Sequence, residues 1–128
     1  QMIERAHKWR KVFGGGMRQA GIIAAGALYA LNHNVERLAD DHRKARLFAE
    51  KVSTSPRVSI DLEAVQTNIV IVETGKTGKS PDEIIGALKA EHVLVSLGSY
   101  TSIRAVMHLD VSEEQVRRAA DVFLNLLA

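Results

Sequence analysis

The chain has 128 residues, the size of one ordinary domain, and 46% of them are apolar, enough to fill a core. Its 17 basic and 15 acidic residues leave a formal charge of +2, with no long run of like charge, so a nucleic-acid-binding tail is not indicated. No cysteine is present, which excludes disulfides and thiolate metal sites and fits a reducing compartment, expected to be cytoplasmic.

In chain order, Met2 to Phe13 place Ile3, Ala6, Trp9 and Phe13 on one stripe, which predicts an amphipathic helix. The segment opens without a start Met or an N-cap, so the chain is expected to be cut from something longer. Gly14, Gly15 and Gly16 then stop the helix, since each glycine in a helix interior costs roughly 1 kcal/mol relative to alanine. A second helix is predicted over about Arg18 to Asn32. It is apolar on most sides and expected to be buried, with Gly21 and Gly26 admitting a close neighbour. It is too short to span a membrane, which takes about 20 apolar residues, and no signal peptide is visible. A third helix follows, with Asn34 as N-cap and Val35, Leu38, His42, Ala45 and Ala49 on its inner stripe.

The pattern changes at Ser53. "STSP" is a turn, "RVSIDLE" alternates Val58, Ile60 and Leu62 as a half-buried strand, and "TNIVIVET" is a second, β-branched strand. After the loop "GKTGK", Ser80 (N-cap), Pro81 (N1) and Glu83 (N3) give the next helix a complete start signature. Two short strands, "VLVSL" and "SIRAVMHL", precede a last helix begun by Ser112 and Gln115. Its inner side is Val116, Ala119, Ala120, Phe123, Leu124 and Leu127. Three helices followed by β-β-α-β-β-α predict an α+β fold, a mostly antiparallel sheet with helices on one face. A boundary is expected near Ser53, dividing a helical segment, residues 1–52, from a small α+β domain, residues 53–128.

Chemistry is sparse along this frame. "ETGKTGKS" stands between a strand and a helix, as a phosphate loop would, but Glu73 occupies the place of the motif's first glycine and would repel phosphate. Gly78, Lys79 and Ser80 therefore read as an exposed turn. The five histidines, His7, His33, His42, His92 and His108, have no metal-ligand spacing. His108 and Asp110, two apart, can share a face as an acid–base pair; alternatively the aspartate caps a loop. Arg104 sits among residues of buried type and requires a partner, either an internal carboxylate or a ligand's. The glycine triplet, flanked by Arg10, Lys11 and Arg18, is either a hinge or an anion-binding turn at a helix start.

Two stretches carry a family likeness. "RKVFGGGMRQAGIIAAGALYALNHNVERLADDH" resembles the corresponding stretch of low-specificity L-threonine aldolases, and "VSLGSYTSIRAVMHLDVSEEQ" resembles their C-terminal stretch, with Met107 where the family commonly has Thr. The resemblance covers essentially the whole chain. It implies the C-terminal part of a pyridoxal-phosphate enzyme of the aspartate-aminotransferase fold (fold type I), which cleaves threonine or allo-threonine to glycine and acetaldehyde. Residues 1–52 would then end the large cofactor-binding domain and include its connecting helix. The family's cofactor-anchoring lysine, the histidine stacked on the cofactor and the aspartate at its pyridine nitrogen all lie upstream of these segments. No lysine here stands in a Ser-Lys-Gly context. The chain alone is therefore expected to be inactive and to lack covalently held cofactor, with no catalytic residue and no metal site of its own.

By position, the resemblance makes Arg104 the arginine for the substrate carboxylate. It places Arg18 and Lys11 near the cofactor phosphate, where supply across a subunit interface is also allowed, and has Gly14 to Gly16 turn the backbone past the site. The implied partners are a small amino-acid substrate, the N-terminal part of the same enzyme, and further copies in a homo-oligomer, with no nucleic acid and no membrane. Apolar surface around Trp9 and the second helix supports such contacts. The competing readings are a non-catalytic α+β module for binding or assembly, and, weakened by Glu73, a nucleotide site at Gly78 to Ser80.

Overall fold

A computed structural model describes residues 1–127. By packing, the chain divides into two units, Gln1–Glu36 and the residues from Arg37 onward.

The first unit holds α1 (Met2–Val12) and α2 (Gly21–His33). The glycine triplet is the stop of α1. Gly14 takes the left-handed conformation, at φ 81°, and the N–H groups of Gly14, Gly15 and Gly16 donate to the carbonyls of Lys11, Arg10 and Gly14. This is a glycine-based C-cap, in which carbonyls left over at the helix end find donors just beyond it. α2 begins at Gly21, later than the expected Arg18, after a bend in which Gln19 also has positive φ. The expectation that α2 is buried is corrected: no residue of α1 or α2 is buried, and a Cβ added at Gly21 or Gly26 would meet open space. Within α1, Trp9 and Phe13 stack at 5.7 Å, one helical turn apart.

The second unit is an α+β layer. α3 (Leu38–Val52), α4 (Pro81–Ala90) and α5 (Glu113–Leu127) pack on one face of a three-stranded sheet, β1 (Ile69–Glu73), β2 (Ser96–Ser99) and β3 (Ser102–Val106), in the order β1-β3-β2. Both pairings are antiparallel. The inner face of the sheet presents Val70, Val72, Ile103 and Ala105. These meet Phe48 and Val52 of α3, Ile84 and Leu88 of α4, and Val116, Ala120 and Phe123 of α5. Phe48 and Phe123 meet edge to face at 6.4 Å, an arrangement worth about 0.5–1.5 kcal/mol beyond burial.

One expected strand does not form. "RVSIDLE" makes a single bridge, Ser59 to Glu73. The Asp61 carboxylate accepts the Glu63 N–H at 3.0 Å and turns the chain into a 3-10 turn, Leu62–Ala64, whose Leu62 carbonyl is held by Arg46 at 2.8 Å. An aspartate that bonds its own backbone two residues on competes with sheet pairing. The alternation of Val58, Ile60 and Leu62 still records which side chains turn inward.

α3 also differs from expectation. Asn34 closes α2 instead of starting α3, and the inner stripe is Asp41, Lys44, Ala45, Phe48, Ala49 and Val52, leaving Leu38 and His42 outside. The start signatures of α4 and α5 form as expected. Ser80 and Glu83 exchange bonds in a capping box, as do Ser112 and Gln115. Arg57 and Lys79 donate to the Leu127 and Leu126 carbonyls at the end of α5, where cations complement the helix dipole.

Candidate functional site

β3 is the central strand, so its outward residues lie in the middle of the uncovered sheet face. Strand alternation turns Ile103 and Ala105 inward and Arg104 and Val106 outward. The expectation that Arg104 is buried is therefore corrected: its neighbours are core residues, but period two puts the guanidinium on the open side. Register sets Ile71 of β1 opposite it on one flank and Ser96 of β2 on the other, with Ile69 opposite Val106 one row away. The result is a cation on a half-exposed apolar platform.

Ser96 is the polar contact of that cation. Its hydroxyl oxygen accepts from Arg104 Nε at 3.2 Å and lies 3.4 Å from the Arg104 carbonyl, to which it donates. Among the described residues no carboxylate reaches Arg104, and Nη1 and Nη2 have no protein acceptor. Those two nitrogens form one edge of a planar fork whose geometry matches a carboxylate.

A bulge fixes the local frame. Ser96 pairs with Arg104 and Leu97 with Ile103, yet Ser99 pairs with Ser102, so Gly98 is the extra residue. A Cβ at Gly98 would stand 2.8 Å from Ser102 Oγ and 3.3 Å from the Ile103 carbonyl carbon, so only glycine lets the strands approach this closely. The hairpin end is tied by Ser99 Oγ to Ser102 Oγ at 2.8 Å and by Thr101 Oγ1 donating to Glu73 at 3.0 Å.

Beyond β3 the chain runs through His108 to Asp110 into α5. His108 Nδ1 accepts the Asp110 N–H at 3.3 Å and lies 3.7 Å from the Asp110 carboxylate, with both side chains exposed. The pair shares a turn. Asp110 does not cap α5, since Ser112 does. The loop is clamped from α3: buried Lys44 donates to the His108 carbonyl at 3.1 Å and the Val111 carbonyl at 2.8 Å, and its ammonium lies 2.8 Å from Asp41. A cavity of about 290 Å³ opens beside this loop, between Val93, Met107, Val111 and Val116.

Lys11 and Arg18 belong to the first unit, on either side of the glycine stop. Lys11 is exposed in the last turn of α1, and Arg18 is exposed in the bend before α2, ahead of that helix rather than in its first turn. Among the described residues neither has a carboxylate in ion-pair range. The Gly14 and Gly15 N–H groups are spent on α1 carbonyls and the Gly16 N–H on the Gly14 carbonyl, so the triplet acts as a helix stop and offers no unpaired N–H group to an anion. The "GKTGK" loop is likewise self-satisfied. Gly78 is left-handed, Thr77 Oγ1 donates to the Thr74 carbonyl at 2.7 Å and accepts from the Lys79 N–H at 3.1 Å, and Lys79 Nζ reaches α5. Among the described residues no three metal-ligating side chains converge, and no helix is long and apolar enough to cross a membrane. Sequence reasoning missed Ser96. Its only signal was its register opposite Arg104, which depends on the Gly98 bulge.

The chain is similar to several known proteins. Low specificity L-threonine aldolase of Escherichia coli (strain K12) is 40% identical over 127 residues, 98% of this chain and 36% of that protein. Probable low-specificity L-threonine aldolase 2 of Arabidopsis thaliana is 38% identical over 124 residues, 96% of this chain and 35% of that protein. The chain thus spans about a third of the length of the relatives it matches. Among solved structures, a C-DES mutant with glycine covalently linked to its PLP cofactor matches with a TM-score of 0.59 at 20% identity. That match covers 81% of this chain and 28% of that one. MppP soaked with its product 2-ketoarginine matches with a TM-score of 0.59 at 16% identity, over 77% and 30%. These two show a shared fold. The family model for beta-eliminating lyases matches residues 1–75, more than half of the sequence, and the chain belongs to that family.

Proposed function

We propose that this chain is the C-terminal part of a pyridoxal-phosphate-dependent L-threonine aldolase, which cleaves threonine or allo-threonine to glycine and acetaldehyde. In this reading residues 1–52 end the cofactor-binding domain and supply its connecting helix, and residues 53–128 are the small domain. The observation that carries the proposal is the Arg104 guanidinium, held on the open sheet face with Nη1 and Nη2 unused among the described residues.

The donor set fits the cofactor. Arg18 and Lys11 are exposed cations without carboxylate partners among the described residues, suited to a phosphate dianion. When bound, pyridoxal phosphate supplies an electron sink for the carbanion left on Cα. Arg104 takes the substrate carboxylate through two parallel N–H bonds. A bidentate grip fixes the orientation of Cα and hence which of its bonds is presented for cleavage. The cofactor-anchoring lysine comes from outside this chain: no lysine here has the family's Ser-Lys-Gly context, and buried Lys44 is committed to Asp41 and two carbonyls. The chain alone therefore holds no covalent cofactor and does not turn over threonine.

The exposed apolar helices of the first unit support partners. Ile22 is 89% exposed and Phe13 81%, and no residue of α1 or α2 is buried. An apolar patch of this kind marks a surface covered in the assembly. Here that cover is the remainder of the enzyme and further copies of it.

The test is Arg104→Ala in the full-length enzyme. Replacing a bidentate charged contact raises KM for threonine by about 10- to 100-fold, while affinity for the cofactor, titrated by its absorbance, changes by less than about twofold. Equal loss of both would refute the carboxylate role.

A further inference from the structure

We propose that Ser96 is a positioning residue that selects which edge of Arg104 meets the substrate. The inference rests on the carboxylate reading above. A guanidinium can grip a carboxylate through Nε with one Nη, or through Nη1 with Nη2. Here Nε is already engaged: it donates to Ser96 Oγ at 3.2 Å. The same hydroxyl donates back to the Arg104 carbonyl at 3.4 Å. Ser96 therefore ties the head of the side chain to its own backbone and leaves the Nη1/Nη2 edge for the ligand.

The rest of the strand row supports this role. Arg104 has Ile71 opposite on β1 and Ser96 opposite on β2, so one flank offers no hydrogen bond and the other offers one. An arginine on an open sheet face otherwise keeps its rotamer freedom, which must be lost when it binds. A hydroxyl that restrains it beforehand reduces that loss. The position depends on the Gly98 bulge, which sets Ser99 rather than Gly98 opposite Ser102 while Ser96 stays opposite Arg104.

The experiment measures binding of glycine and of glycinamide to the full-length, cofactor-loaded enzyme by calorimetry, for the parent, Ser96→Ala, Ser96→Thr, Arg104→Ala and the Ser96→Ala/Arg104→Ala double variant. Loss of one hydrogen bond that orients a charged group weakens glycine binding in Ser96→Ala by about three- to tenfold, and glycinamide binding is unchanged. Ser96→Thr, which keeps the hydroxyl, restores the parent value. On the Arg104→Ala background Ser96→Ala has no further effect. If Ser96→Ala leaves glycine binding unchanged while Arg104→Ala weakens it, the positioning role is overturned and the carboxylate reading stands. If Arg104→Ala itself does not discriminate glycine from glycinamide, the carboxylate reading fails, and the role of Ser96 with it. If Ser96→Ala weakens both ligands equally, or weakens glycine further without Arg104, its effect is merely structural and the proposal is overturned.

Discussion

Replacing Lys44 by alanine is expected to be among the most damaging single changes in the second unit. Lys44 lies on the inner stripe of α3, only 6% exposed, and its ammonium lies near three oxygens: the Asp41 carboxylate at 2.8 Å, the Val111 carbonyl at 2.8 Å and the His108 carbonyl at 3.1 Å. The contact to Asp41 Oδ1 is close but lacks hydrogen-bond alignment, so it is chiefly Coulombic. Asp41 is itself 4% exposed, and its other cation, Arg37, stands 3.9 Å away. Lys44→Ala thus strands a buried carboxylate and removes the donor to Val111. Breaking one side of such a pair costs about 3–5 kcal/mol. With a urea slope near 1.5 kcal/mol/M, the midpoint followed by circular dichroism falls by about 2–3 M. Removing both charges, in Lys44→Met with Asp41→Leu, recovers about half of the loss, because no stranded carboxylate remains. A cost below about 1 kcal/mol for Lys44→Ala, or a double variant worse than the single one, would refute the reasoning.

Two further outcomes test the local chemistry. The Glu83 carboxyl is held below its usual 4.5 by hydrogen bonds from the Ser80 backbone N–H and then its hydroxyl. A depressed carboxyl stabilises the fold above its unfolded value and ceases to do so as pH falls through the folded one. The capping box therefore loses strength below pH 4.5, and the acid limb of a stability-versus-pH curve flattens in Glu83→Gln. At the glycine stop, Gly14→Ala forces a side chain into φ 81° and Gly15→Ala sets a Cβ 3.0 Å from the Arg10 carbonyl oxygen, whereas Gly16→Ala meets nothing within 4 Å. Thermal denaturation of the full-length enzyme is expected to show a loss of about 1 kcal/mol or more for the first two and no change for the third. Equal behaviour of all three would show that the triplet is not the C-cap described.

How much of this was legible in the sequence depended on how local each determinant is. Ser80, Pro81 and Glu83 interact within one turn, so α4 was readable residue by residue. The strand expected at Val58 to Leu62 has the right alternation, but Asp61 bonds its own backbone and ends the pairing after one bridge. The inner stripe of α3 was misjudged for a different reason. It carries Asp41 and Lys44, charged residues that periodicity assigns to solvent, and their mutual ion pair together with the bonds from Lys44 to the loop after β3 makes their burial tolerable. The apolar character of α2 is plain in the sequence, yet apolar residues alone do not bury a helix, and none of this one is buried.

Arg104 shows how an incomplete argument misplaces the side chain it singles out. Apolar neighbours suggested that the arginine is buried and must have a partner. The sheet instead alternates, and the same apolar neighbours that anchor β3 in the core force residue 104 outward. A buried arginine would have needed an internal carboxylate, whereas an outward arginine held at Nε by a neutral hydroxyl keeps its full charge available. That difference separates a structural ion pair from a guanidinium able to serve the carboxylate role proposed above. It follows from the period of the strand together with one register partner, Ser96, which becomes identifiable only when the Gly98 bulge is seen. The glycine triplet resolves in the opposite direction. Its bare backbone suits an anion loop, but the Gly14 and Gly15 N–H groups end α1 and the Gly16 N–H meets the Gly14 carbonyl. The side chains of Lys11 and Arg18 stand on either side of that turn, so in the reading proposed above they, and not the backbone, supply the charge for a phosphate.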